Sequence, residues 1–217
     1  MLTAYVQQTQ TLLNNASGSI YSISNLNNWI NEGRMEIAAE GQCVRYLASV
    51  LTVVGQEIYN FSGILPPANL GYGQVISVGN ISIIWGSFRY GIARYGWNKY
   101  QNYCRNYTAG FQSNPTVGTQ YGQGVNGSFY LYPPADQVYT TEWDCICLPV
   151  TLTTDTTPEA IPMPWTNCVQ YYTAFKAYQS AQRFADADIM WKEFEKYMKR
   201  SRANSQRNIS SNPYARP

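Results

Sequence analysis

Residues 164–203 run PWTNCVQYYTAFKAYQSAQRFADADIMWKEFEKYMKRSRA, and this stretch decides how the rest of the chain has to be built. Val169, Tyr172, Phe175 and Ala177 fall near one face at helical spacing, which predicts a helix ending near Phe184. A second helix starts at Ala185-Asp186, with Asp186 and Asp188 in its first turn, where carboxylates complement the positive end of the helix dipole. Met190, Phe194, Tyr197 and Met198 form its apolar stripe, and Lys199, Arg200 and Arg202 stand at its C-terminal end, where cations are favoured. A helix pair with one apolar stripe cannot bury that stripe by itself.

Working outward, the other end of the chain offers a partner. Residues 1–45 read as two helices. The first covers Leu2 to Asn14 and stops at the Asn14-Asn15-Ala16-Ser17-Gly18 breaker. The second follows a Ser24 cap, places Leu26, Trp29, Ile30, Ile37 and Ala38 near one face, and ends at Gly41. From Tyr46 to Pro162, Gly, Pro and Asn punctuate short runs rich in Val, Ile, Tyr and Phe. Strands are expected over Ser49–Val54, Glu57–Phe61, Val75–Trp85, Ser128–Tyr132 and Tyr139–Val150. Aromatics at 97, 100, 103 and 107 predict a short helix over Trp97–Tyr107, and residues 109–127 read as a long mobile loop.

The expected fold is therefore α+β. Residues 1–45 and 164–203 form a helical bundle domain with Trp29, Trp165, Phe175 and Phe194 in its core. Residues 46–163 form a β-rich insertion domain, and residues 204–217, polar and without period, form an extended C-terminal arm.

Composition narrows the function. Charged residues are 13% of the chain, about half the roughly 25% usual in globular domains. Asn, Gln, Ser, Thr and 19 Tyr fill the gap, a surface suited to contact rather than to long-range attraction. A net charge of +2 excludes a polyanion binder working through overall charge. The distribution is uneven, however, because no acidic side chain follows Glu195 while six cations do. The chain starts without the basic and apolar regions of a signal peptide, and no apolar run is long enough to span a membrane. The expectation is a protein kept in the cytoplasm until assembly, with no membrane contact and its five cysteines as reduced thiols.

Chemistry-bearing motifs are sparse. With no histidine, Ser-His-Asp and Cys-His catalysis and imidazole metal sites are excluded in their usual forms. Cys145 and Cys147 share one strand face and read as core thiols. The glycines of Gly122-Gln-Gly124-Val-Asn-Gly127 match a dinucleotide fingerprint in letters only, since they follow a loop and lead into a strand. Glu142 and Asp144 flank Trp143 on a solvated strand face. No enzyme, cofactor or metal is expected.

Several segments resemble one family. Gly127-Ser-Phe-Tyr-Leu-Tyr-Pro-Pro-Ala-Asp-Gln-Val-Tyr139 is followed by Trp143-Asp-Cys-Ile-Cys-Leu-Pro-Val150, Leu152-Thr-Thr-Asp155 and Glu159-Ala-Ile-Pro162-Met-Pro-Trp165. With the two closing helices, and with Leu26-Asn-Asn-Trp29-Ile30-Asn31-Glu-Gly-Arg34 near the start, this order is similar to the head-to-tail adaptors of tailed bacteriophages, of the short-tailed type. The resemblance covers about half of the chain, and residues 63–127 match nothing in it. It implies a structural virion protein in a dodecameric ring that docks under the portal protein, continues the DNA channel and receives the next tail component, a nozzle or tail tube. It implies a C-terminal arm on the portal, for which Lys199, Arg200, Arg202, Arg207, Tyr214 and Arg216 are the candidates.

Two other readings remain beside it. One is a tail or connector ring without direct portal contact. The other is a glycan-binding β-module using Trp85, Tyr90, Tyr95, Trp97, Tyr100 and Tyr121. Weak contact with passing DNA is a further expectation, through Lys192, Lys196, Lys199 and Arg202 along one helical stripe.

Overall fold

The computed structural model describes residues 1–14, 20–105 and 111–207, the last two by backbone alone. Among these residues the fold is α+β, with five α-helices and two four-stranded sheets. The helices are α1 (Leu2–Leu12), α2 (Ile23–Gly41), α3 (Trp97–Tyr103), α4 (Val169–Ser180) and α5 (Phe184–Arg207). The chain divides into two compact units. One holds Met1–Val44, Pro67–Tyr72 and the described residues from Leu148 onward; the other holds Arg45–Pro66 and Gly73–Cys147.

In the first unit α4 packs against α5, α2 and α1. Leu13, Tyr21, Leu26, Ala174, Ala177 and Tyr178 are buried together, with Trp29, Phe175 and Met190 partly buried at their border. Each large side chain taken wholly out of water contributes about 1.5–3 kcal/mol. Phe194 is fully buried and meets Tyr172 edge-on at 5.2 Å. Trp165 is half-buried in the 3-10 turn that leads into α4. Gly33 lets α4 approach α2 closely, since a Cβ there would stand 2.8 Å from the Tyr172 ring.

The second unit is built from two sheets. The first has the order β1 (Arg45–Leu51), β8 (Thr140–Pro149), β3 (Tyr72–Trp85), β4 (Phe88–Gly91). The other has the order β2 (Ile58–Asn60), β7 (Ser128–Tyr132), β6 (Val117–Tyr121), β5 (Ala93–Arg94). Alternation along β8 sends Trp143 inward, fully buried, where its ring lies 5.6 Å from Tyr59 of β2 and 5.5 Å from Phe129 of β7. Its indole N–H donates to Thr141 Oγ1 at 2.6 Å, so the buried donor is satisfied. Cys145 and Cys147 are buried on the same strand, and burial pushes both thiols up to about 12.

Several sequence expectations need correction. The N-cap of α2 is Ser22, which accepts from the Asn25 N–H at 3.2 Å, in place of Ser24. Gly41 is the last residue of α2, but the left-handed residue after it is Gln42. Residues 109–127 are no uninterrupted loop, because β6 lies within them, paired with β7 on one side and β5 on the other. That strand carries a glycine and a glutamine, so its local propensity is weak, and it exists through its pairing with β7 just after it and with β5. β4 returns from β3 in a tight hairpin, with Trp85 opposite Phe88, and at four and two mostly exposed residues β4 and β5 are too short to show a strand pattern. The short helix over 97–107 ends at Tyr103, and Tyr107 lies outside the described residues. Asn204–Arg207, expected as the start of an extended arm, continue α5.

Substituting Gly33→Ala should lower stability by about 1–3 kcal/mol, because the methyl group must displace the Tyr172 ring. Gly63→Ala, where nothing lies within 4 Å, should be close to neutral. Thermal unfolding of the two variants side by side checks this.

Candidate partner-binding site

Arg34 lies on the apolar face of α2, fully buried, where an unpaired guanidinium would be prohibitive. Its Nε and Nη2 donate to the two carboxylate oxygens of Glu159, both at 2.8 Å. Its Nη1 donates to the Val150 carbonyl at 2.8 Å and to Asn31 Oδ1 at 3.0 Å. Asn31 in turn holds Leu152 through both backbone groups, accepting from its N–H at 2.8 Å and donating to its carbonyl at 3.1 Å. Glu159 also accepts from the Tyr5 hydroxyl of α1 at 2.9 Å and from the Ile161 N–H at 3.0 Å. Burial and the charge of Glu159 push the Tyr5 phenol well above its ordinary value.

Asp155, in the same segment, receives the Met1 amino group at 2.9 Å, the Thr3 N–H at 2.8 Å and the Thr3 hydroxyl. The Thr3 hydrogen bonds and the N-terminal ammonium hold its carboxyl below the usual carboxylate range. Segments 26–34 and 152–162, which carry much of the adaptor resemblance in the sequence, are thus fastened to each other.

The far end of α5 is fastened as well. Ser201 and Ser205 are buried and both donate to the Gly41 carbonyl at the end of α2, at 3.3 Å and 3.0 Å. A Cβ on Gly41 would stand 2.8 Å from Ser201 Oγ, so this glycine serves the approach of α5. With 201 and 205 turned inward, Lys199, Arg200 and Arg202 are exposed. Arg207 is the last helical residue, and Tyr214 and Arg216 lie outside the described residues.

Most cations of α5 are not free. Lys192 pairs with Asp188 at 2.5 Å, Lys196 with Glu193 at 3.2 Å and Lys199 with Glu195 at 3.1 Å, while Arg202 faces Glu40 of α2 at 3.8 Å. Exposed pairs of this kind contribute little stability, but they cancel the local field. The helical stripe read as a possible DNA contact is therefore nearly neutral. Of the cations from Lys192 to Arg202, Arg200 alone has no carboxylate partner among the described residues.

The aromatic residues of the glycan reading pack on one another. Tyr100 is fully buried, Trp97 lies 4.4 Å from Tyr121 and 5.1 Å from Tyr130, and Trp85 lies 5.5 Å from Tyr139. Lys99 covers the Tyr95 ring at 4.0 Å. Among the described residues no helix is long and apolar enough to cross a membrane.

The SU10 adaptor protein family model matches residues 2–217. The chain belongs to the SU10 adaptor protein family. As a member it is a structural component of a bacteriophage virion, an adaptor by class. Comparison with curated proteins gave no match. The match includes residues 63–127, for which the sequence offered no resemblance, so the second unit is part of this adaptor's own design.

Removing Arg34 by Arg34→Met leaves the Glu159 carboxylate buried without its partner and should cost about 3–5 kcal/mol. Arg34→Met combined with Glu159→Leu should recover most of that loss in chemical denaturation. Asp155, depressed in the folded chain, stabilises the start of α1 in full above the usual carboxylate range, and that contribution is lost progressively as pH falls from that range down through the depressed value. Protection of the α1 amides, taken relative to their intrinsic exchange at each pH, should fall progressively below about pH 4, and Asp155→Asn should show the lower protection already at neutral pH.

Proposed function

We propose that this adaptor works as one copy in a closed ring of twelve at the head–tail junction. The ring docks on the portal protein, continues the DNA channel and receives the next tail component, a nozzle or tail tube. The observation that carries this reading is the anchored end of α5. Ser201 and Ser205 fix the last described turns of α5 on α2. Beyond Arg202 the sequence holds Arg207 and Arg216, Tyr214, two prolines and no carboxylate. A segment of that composition gains little by folding on itself and suits a groove with acidic and aromatic-accepting walls on a partner.

In this reading Lys199, Arg200 and Arg202 form the root of the arm, and Arg207, Tyr214 and Arg216 are its contacts. Trp29, Trp165, Phe175 and Phe194 keep the bundle rigid enough to present it. DNA passes without being held, which agrees with the ion pairs along α5. The subunit reaches the virion by assembly in the host cytoplasm and uses no cofactor.

Light scattering with size exclusion on the protein mixed with its own portal tests the reading. A complex with one subunit per portal chain is expected. Deleting residues 208–217, which spares Ser205, should leave unfolding unchanged and weaken the complex about tenfold or more. A truncated chain that binds the portal as well as the full chain overturns the arm; a folded full chain that never binds overturns the portal contact itself.

A further inference from the structure

The stretch 58–135, which supplies most of the second unit, contains no Asp or Glu, yet it carries Arg89, Arg94, Lys99 and Arg105. Acids from outside the stretch neutralise two of these cations: Arg89 pairs with Glu142 at 2.8 Å and Arg105 with Glu57 at 3.3 Å. Among the described residues, which include every Asp and Glu of the chain, no carboxylate pairs with Arg94 or Lys99.

Arg94, at the end of β5, is nevertheless held in place. Its Nη1 donates to the Val78 carbonyl at 2.7 Å and to the Gly79 carbonyl at 3.1 Å, and its Nη2 donates to Gln120 Oε1 at 3.3 Å. All three acceptors are neutral, so they orient the guanidinium and leave its charge uncancelled. Of its five N–H groups, the one on Nε and one on Nη2 have no acceptor among the described residues. Lys99 follows on α3, and its Nζ stands 4.0 Å from the centre of the Tyr95 ring, beside the residue next to Arg94. A ring face attracts a cation without neutralising it. Arg94 and Lys99 are both exposed, as are the amides Asn98 and Gln101 of the same segment.

We propose that Arg94 and Lys99 touch the phosphate backbone of the DNA that passes through the adaptor. The inference rests on the ring reading above for the presence of DNA, and it assigns the contact to the second unit in place of the α5 stripe, whose cations are paired. A single carboxylate on a partner protein calls for one free cation. Exclusion of every acid from so long a stretch suits an extended polyanion instead, which repels any carboxylate placed along it. Phosphate contacts are made by Arg, Lys and side-chain amides and carry no sequence preference, as a channel for any sequence requires. Two cations per subunit touch the backbone without holding it, and salt weakens the contact further.

The test uses the full chain and a fluorescent DNA duplex of mixed sequence, with binding read by anisotropy from about 20 to about 200 mM salt. Lys99→Gln, at an exposed position of α3, should unfold at the wild-type temperature, weaken binding about threefold or more and lower the salt slope by about 1. Arg94→Gln combined with Lys99→Gln should weaken it about tenfold; Lys99→Gln alone decides the matter where the double variant fails to fold. Arg200→Gln makes the same charge change in the first unit and should have the smaller effect. No duplex binding by the wild-type chain at the lowest salt, or equal losses in Lys99→Gln and Arg200→Gln, overturns the contact. Poly-glutamate bound as tightly as the duplex at equal salt points to an acidic protein surface and overturns the assignment to DNA. A chain that binds the duplex through Lys99 but never joins its portal overturns the ring reading and leaves this contact standing.

Discussion

A guanidinium can lie in a protein interior only where its donors find acceptors, and the first unit is arranged around that requirement. Arg34 has four hydrogen bonds, to the Glu159 carboxylate, the Asn31 side chain and the Val150 carbonyl. Those acceptors lie more than a hundred residues away, apart from Asn31, so satisfying one side chain closes a long loop of chain. Glu159 then draws in Tyr5, and the neighbouring Asp155 draws in Met1 and Thr3. Helices α1 and α2 and the segment after β8 thereby become one body. Replacing such a network by apolar groups of equal volume can be neutral in stability, so its value here lies in geometry, since only one register satisfies all the donors.

The last helix has two faces with opposite tasks. Its inward face buries Phe194, Ser201 and Ser205, and the serines trade side-chain hydroxyls for the free carbonyl at the end of α2. Its outward face alternates acids and bases so that charge cancels turn by turn. The cations past Glu195 become less and less compensated toward the C-terminus.

Much of this was legible beforehand. The helix pairs at both ends showed in the apolar spacing of Leu26, Ile30 and Ile37 and of Val169, Tyr172 and Phe175, because a 3.6-residue period repeats within each helix. The long strands β3 and β8 showed in runs of β-branched and aromatic residues. The clamp did not show as a clamp, although its signal was present: Arg34 breaks an apolar stripe that runs through Leu26, Ile30, Ile37 and Ala38, and a charge in that position implies a buried partner. Nothing in the spacing says that the partner is Glu159.

The sequence by itself determined which segments are helical, that imidazole chemistry is absent, and that cations gather at the C-terminal end, since each follows from composition or from contacts a few residues apart. The tertiary structure alone decided the strands β4, β5 and β6, the pairing of Arg34 with Glu159, and the service of Gly33 and Gly41 as points of close approach. The strands depend on pairing that weak local propensity does not announce, and the Arg34 pair and the two glycines depend on groups far apart in the chain meeting at hydrogen-bond or van der Waals distance, of which a linear pattern carries no record.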